Sequence, residues 1–190
     1  KEVRLEAERI FGHDKEQGLY NKADMLKDVE SALYASKLVS YAQGFDVLQK
    51  ASEEFDWNLN LASIARLWRG GCIIRSGFLN DIADAFEAKD KPRHLLFAPY
   101  FSAQIKESLF GWRHLVAHVL KEGMPVPAFS SALNYFFSLT SGSLPANMIQ
   151  AQRDYFGAHT FERIDRPRGE FFHENWTGYG GDTQSGTYNV

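Results

Sequence analysis

Apolar positions recur at helical spacing along almost the whole chain. Leu5, Ile10 and Phe11 close a short amphipathic piece, after which residues 12–21, GHDKEQGLYN, read as a polar loop with glycine near each end. From about Lys22 to Phe55, Tyr34, Leu38, Tyr41, Phe45 and Leu48 recur at alternating steps of four and three, and Ala35, Val39 and Ala42 widen the stripe. A stripe that wide predicts a long helix buried on more than one side.

Asn60 is placed to cap a helix through LASIARLWRG, with Gly70 and Gly71 ending it or admitting a close backbone, and CIIRSGFLNDIADAF keeps helical register beyond them. The expectation is a helix pair with a tight junction. After KDKPR, the short piece HLLF leads into FSAQIKESLFGWRHLVAHVLKEG, where Ile105, Leu109, Trp112, Val116 and Leu120 mark one face and Gly123, Pro125 and Pro127 mark the stop. Pro127 and Pro145 stand in first-turn positions of two further helices, PAFSSALNYFFSL and PANMIQAQRDYF. The fold class predicted is all-α. From His159 onward there is no sustained period, five glycines follow Arg168, and aromatics stand singly at Phe171, Phe172, Trp176, Tyr179 and Tyr188. Disordered tails are poor in aromatic residues, so residues 159–190 read as an extended segment pinned to a surface by its rings, and residues 1–158 as the helical domain.

Composition narrows what such a chain does. With 190 residues and 44% hydrophobic content one sizeable core is attainable, and a net charge of −3 provides no global basic field for nucleic acid or an anionic membrane. Any anion site must then be local. The single cysteine, Cys72, cannot form an internal disulfide, and no apolar run approaches the roughly 20 residues of a membrane helix. Both features point to a reducing, cytoplasmic compartment.

Few residues carry candidate chemistry. Gly70 and Gly71 follow a helix, not a strand, so no dinucleotide or phosphate loop is present. His114 and His118 lie one turn apart, but HLVAH lacks the glutamate of a metalloprotease helix and any third ligand, which predicts a packed or surface pair and no metal. Cys72, beside Ile73 and Ile74, is expected as a small buried hydrophobe, Lys37 as a snorkelling lysine, and Glu53, Glu54, Asp81 and Asp84 as solvated surface. The stretch AQRDYFGAHTFER is different. Arg153 offers a flat fork of donors near a helix end, Gly157 suits a left-handed terminating turn, and His159 adds a donor beyond it, a set that fits a phosphomonoester. The same residues also allow Arg153 to pair with Asp154 or Glu162 while His159 caps the helix, and spacing alone favours that plainer arrangement.

Taken together, LYASKLVSYAQGF, LWRGGCIIRSGFL, LPANMIQAQRDYFGAHTFERID and NWTGYGG resemble the carboxy-terminal helical domain of the decarboxylating 6-phosphogluconate dehydrogenases, with a glycine-rich tail of eukaryotic look. The resemblance implies a homodimer that oxidises 6-phosphogluconate with NADP to ribulose 5-phosphate and carbon dioxide. It implies further that Arg153 and His159 hold the substrate phosphate across the dimer, and that Ser185, Gly186, Thr187 and Tyr188 approach the partner's NADP. Glycine at 186 removes a hydroxyl that the family often has there. The family's Lys-x-x-His-Asn helix, its catalytic glutamate and its Rossmann domain have no counterpart in this sequence, so the resemblance covers about the last two-fifths of the enzyme and assigns no catalytic residue here. Alone, the chain is expected to be inactive. The competing expectation is a catalytically silent helical module that associates with itself through faces left uncovered.

Overall fold

The computed structural model describes residues 1–12, 20–176 and 178, and these divide into two compact units, Lys1–Phe137 and the residues from Ser138 onward. The first unit is built around the predicted long helix. After a short exposed helix, α1 (Glu2–Phe11), α2 runs from Lys22 to Glu54, about 50 Å at the usual rise per residue. Asn21 starts it by accepting a hydrogen bond from the Ala23 amide at 2.8 Å. Ala32, Ala35, Leu38, Val39, Ala42 and Phe45 are buried along it, and it touches α5 (Pro99–Lys121), α3 (Leu61–Leu67) and a 3-10 turn at Leu95–Phe97. That breadth of contact is what the widened stripe predicted.

α2 and α5 approach each other closely at Gly111. A side chain at Gly111 would place its Cβ 2.6 Å from Asp28 Oδ1 and 3.0 Å from Ser31 Cβ, so any larger residue there would push the two helices or these side chains apart. The buried face of α5 runs through Phe101, Ile105, Ser108, Gly111, Trp112, Leu115 and Val119. Leu120, placed on that face by the sequence reading, is exposed, because the buried face passes through Leu115, Val116 and Val119 and leaves position 120 turned away from it. Trp112 is fully buried and donates its indole N–H to the Phe129 carbonyl at 3.2 Å, tying α5 to α6 (Pro127–Thr140).

The helix pair is present with a shorter second member. Asn60 caps α3 by accepting from the Ser63 amide at 2.9 Å, and α4 spans Leu79–Glu87. Arg66 forks onto Glu87 across the pair. The expected helix over CIIRSG does not form. Gly71 adopts φ +67, the Ile74 carbonyl accepts the Tyr41 hydroxyl in place of a helical amide, and Ile73 is fully exposed. β-Branched Ile73 and Ile74 followed by Gly77 have too little helical preference to resist this. Cys72 is accordingly half-buried, not enclosed.

The second unit holds α7 (Ala146–Gly157) and a two-stranded antiparallel ladder, β1 (Phe161–Glu162) with β2 (Phe171–Phe172). The segment after His159 is thus folded back as a hairpin. Among the described residues the remaining architecture is helical, in keeping with the all-α class.

Candidate anion site at the end of the last helix

α7 begins after Pro145 and stops at Ala158, which takes the left-handed conformation, φ 47 and ψ 39. The sequence reading gave that conformation to Gly157. Gly157 remains helical, and its lack of a side chain serves another end: a Cβ there would lie 2.5 Å from His159 Nε2 and 2.7 Å from Cδ2. The imidazole of His159 is folded back over the glycine, edge-on to Phe156 at 6.3 Å between centroids. Thr160 follows with φ 61, so His159 stands between two left-handed residues.

Asp154 holds this turn. It is fully buried, and its carboxylate takes four donors. Oδ1 accepts from the Thr160 amide at 3.0 Å and from His173 Nδ1 at 2.9 Å. Oδ2 accepts from the Glu174 amide at 3.0 Å and from Trp176 Nε1 at 2.8 Å. A carboxylate can only accept, so the His173 proton must sit on Nδ1. Burial works against the charge of Asp154, but the donors from Glu174, His173, Trp176 and Thr160 outweigh it and bring the carboxyl down to about 2. This residue entered the sequence reading only as a partner for Arg153.

That pairing does not occur. Asp154 is spent on the turn and the hairpin, and Glu162 is engaged by Arg168 Nη1 at 2.6 Å and by the Gly169 amide at 2.8 Å. Among the described residues, Arg153 hydrogen-bonds only to Gln150 Oε1, at 3.1 Å one turn earlier. Arg153 and His159 both line a concavity of about 710 Å³ within the second unit, with Arg163 and Arg168. Arg163 is neutralised by a fork onto Asp165 at 2.8 and 2.6 Å, and Arg168 by Glu162. Of these three arginines Arg153 alone has no carboxylate partner among the described residues. The ring nitrogens of His159 likewise meet no hydrogen-bond partner among them. An exposed guanidinium and an exposed imidazole on one concave surface form a site for an anion with several oxygens.

The other candidates resolve into structure. His114 donates through Nδ1 to Asp28 Oδ2 at 2.7 Å, Tyr20 donates to the same carboxylate, and the Tyr20 ring packs edge-on against His114 and His118. They form a packed pair, and no group of three or more metal-ligating side chains occurs among the described residues. Lys37 is exposed, with Nζ 5.7 Å from the centroid of the Phe78 ring. Glu53 pairs with Lys50 at 3.2 Å on the surface. Ser185, Gly186, Thr187 and Tyr188 lie outside the described residues.

Comparison with known proteins gives a consistent picture. Residues 1–176 match the family described as 6-phosphogluconate dehydrogenase, C-terminal domain. The decarboxylating 6-phosphogluconate dehydrogenase of Treponema pallidum is 49% identical over 196 residues, covering 100% of this chain and 40% of its own length. That of Rattus norvegicus is 47% identical over 191 residues, with coverages of 100% and 39%. A solved structure of Plasmodium falciparum 6-phosphogluconate dehydrogenase, studied apo, with its cofactor NADP+ and with its substrate 6-phosphogluconate, superposes with a TM-score of 0.84 at 44% identity, covering 92% of this chain and 38% of that one. The chain spans about two-fifths of the length of these relatives. No helix among the described residues is long and apolar enough to cross a membrane.

Proposed function

The chain belongs to the 6-phosphogluconate dehydrogenase family, whose carboxy-terminal domain it matches over residues 1–176, and from that membership we propose that Arg153 and His159 hold the phosphate of 6-phosphogluconate during its NADP-dependent oxidative decarboxylation to ribulose 5-phosphate. The observation that carries this reading is the unneutralised Arg153 beside two neutralised arginines on the same concavity. A guanidinium with a carboxylate partner offers a phosphate little. One without a partner offers two parallel donors to two phosphate oxygens, and the imidazole supplies a third.

In that reaction NADP supplies the hydride acceptor. The described residues of this chain act at the opposite end of the substrate. Holding the phosphate fixes where the sugar-acid carbons lie and so gives the reacting atoms a defined orientation. Among the described residues, Arg153 and His159 bind and orient the substrate and supply neither acid nor base to the reacting carbons. We place the site in a homodimer, with Arg153 and His159 of one subunit completing the active site of the other, and the tail positions Ser185, Gly186, Thr187 and Tyr188 approaching the partner's NADP. A cytoplasmic location accords with the single unpaired cysteine.

In the intact dehydrogenase, Arg153→Ala should weaken 6-phosphogluconate binding by about 1.5 to 3 kcal/mol, the scale of hydrogen bonds to a charged group. Steady-state KM for 6-phosphogluconate checks it. An unchanged KM removes Arg153 from the site.

A further inference from the structure

Resting on the phosphate-clamp reading above, we infer that Asp154 is the positioning residue of that clamp, setting where His159 stands and tying that position to the root of the carboxy-terminal tail. Asp154 is fully buried, so it cannot itself meet a phosphate. Its two oxygens serve two different ends of the chain's last unit. Through Oδ1 it holds the Thr160 amide at 3.0 Å, which closes the turn that carries His159. Through Oδ2 it holds Glu174 N and Trp176 Nε1, at 3.0 and 2.8 Å, immediately before residues 177–190. His173 Nδ1 shares Oδ1 with Thr160 and so joins both halves at one atom.

The turn needs such a tether. Ala158 and Thr160, on either side of His159, both have positive φ, a conformation that non-glycine residues leave readily unless something holds them. With the Thr160 amide fixed to Asp154, the turn carries the imidazole to a position over the bare Gly157. Arg153 precedes Asp154 in the same helical turn, so the carboxylate that fixes His159 sits one residue from the guanidinium that completes the clamp. An amide cannot replace it. Asn at 154 would turn one oxygen into an NH2, which either repels the Thr160 amide, with His173 accepting at Nδ1 in its other tautomer, or repels both Glu174 N and Trp176 Nε1.

A double-mutant cycle on the intact dehydrogenase tests this, with KM for 6-phosphogluconate and kcat measured well below the melting temperature of each variant. His159→Ala, Asp154→Asn and Trp176→Phe are made singly, and each of the last two is combined with His159→Ala. If Asp154 acts through His159, Asp154→Asn raises KM about 10-fold when His159 is present and less than about 2-fold when it is absent, with the effect on KM and not on kcat. Trp176→Phe, which removes one donor and leaves the carboxylate three, gives the same pattern at about 3-fold and decides the matter by itself if Asp154→Asn does not fold. An equal rise in KM with and without His159, or a loss confined to kcat, overturns the positioning role while leaving the clamp intact. A KM unmoved by His159→Ala alone overturns the clamp reading, and this inference with it.

Discussion

Gly157 separates fold stability from ligand binding at the scale of one residue. It is helical, so alanine there gains helix propensity of up to about 1 kcal/mol, yet the new Cβ would displace the His159 ring standing 2.5 Å away. Gly157→Ala should therefore leave thermal stability unchanged or slightly raised while increasing KM for 6-phosphogluconate. A melting temperature that falls together with unchanged KM would contradict this account of the glycine. The sequence pointed to Arg153 and His159 because a guanidinium, a glycine and an imidazole stand within one helix end. It misassigned the left-handed turn, which falls on Ala158, since a glycine needed for steric room and a glycine needed for positive φ look alike in a sequence. Asp154 was legible only as a neighbour of Arg153, because three of its four donors come from His173, Glu174 and Trp176, with no periodic spacing to announce them.

At the scale of elements, the long helix and its partners followed from apolar spacing because their burial is periodic. The junction after α3 did not, because Gly71 and a tertiary hydrogen bond from Tyr41 override the register that CIIRSG would keep. The crossing of α2 and α5 depends on Gly111. Gly111→Val should lower stability by roughly 1 to 3 kcal/mol through overpacking against Ser31 and Asp28, read as a fall in the denaturation midpoint. The terminal hairpin depends on Asp154 in a different way. Its folded pKa, about 2, is below the unfolded value of about 3.9, so its stabilisation is complete above pH 4 and is lost as pH falls towards 2. The amount is about 2 to 3 kcal/mol. Acid titration followed at the Trp176 indole N–H resonance should show the hairpin loosening in that window, and Asp154→Asn should abolish the transition. A Trp176 signal indifferent to pH between 4 and 2 would show that the carboxylate does not hold it.

At the scale of the whole molecule, apolar side chains remain on the surface that a lone domain would gain by covering. Phe110 is 78% exposed on α5 and Met148 75% on α7, and Leu26 and Leu33 are exposed on α2. A homodimer is the proposed use of such surface, and sedimentation equilibrium should return twice the monomer mass. A monomer at high concentration would count against it and against the silent self-associating module alike. If Arg153 reads the phosphate of the substrate, discrimination between 6-phosphogluconate and unphosphorylated gluconate depends on it. In the intact dehydrogenase, Arg153→Ala should reduce kcat/KM for 6-phosphogluconate about 10- to 100-fold and leave kcat/KM for gluconate unchanged, so that the preference for the phosphorylated acid collapses. An equal loss on both substrates, or a preserved preference, would contradict the account.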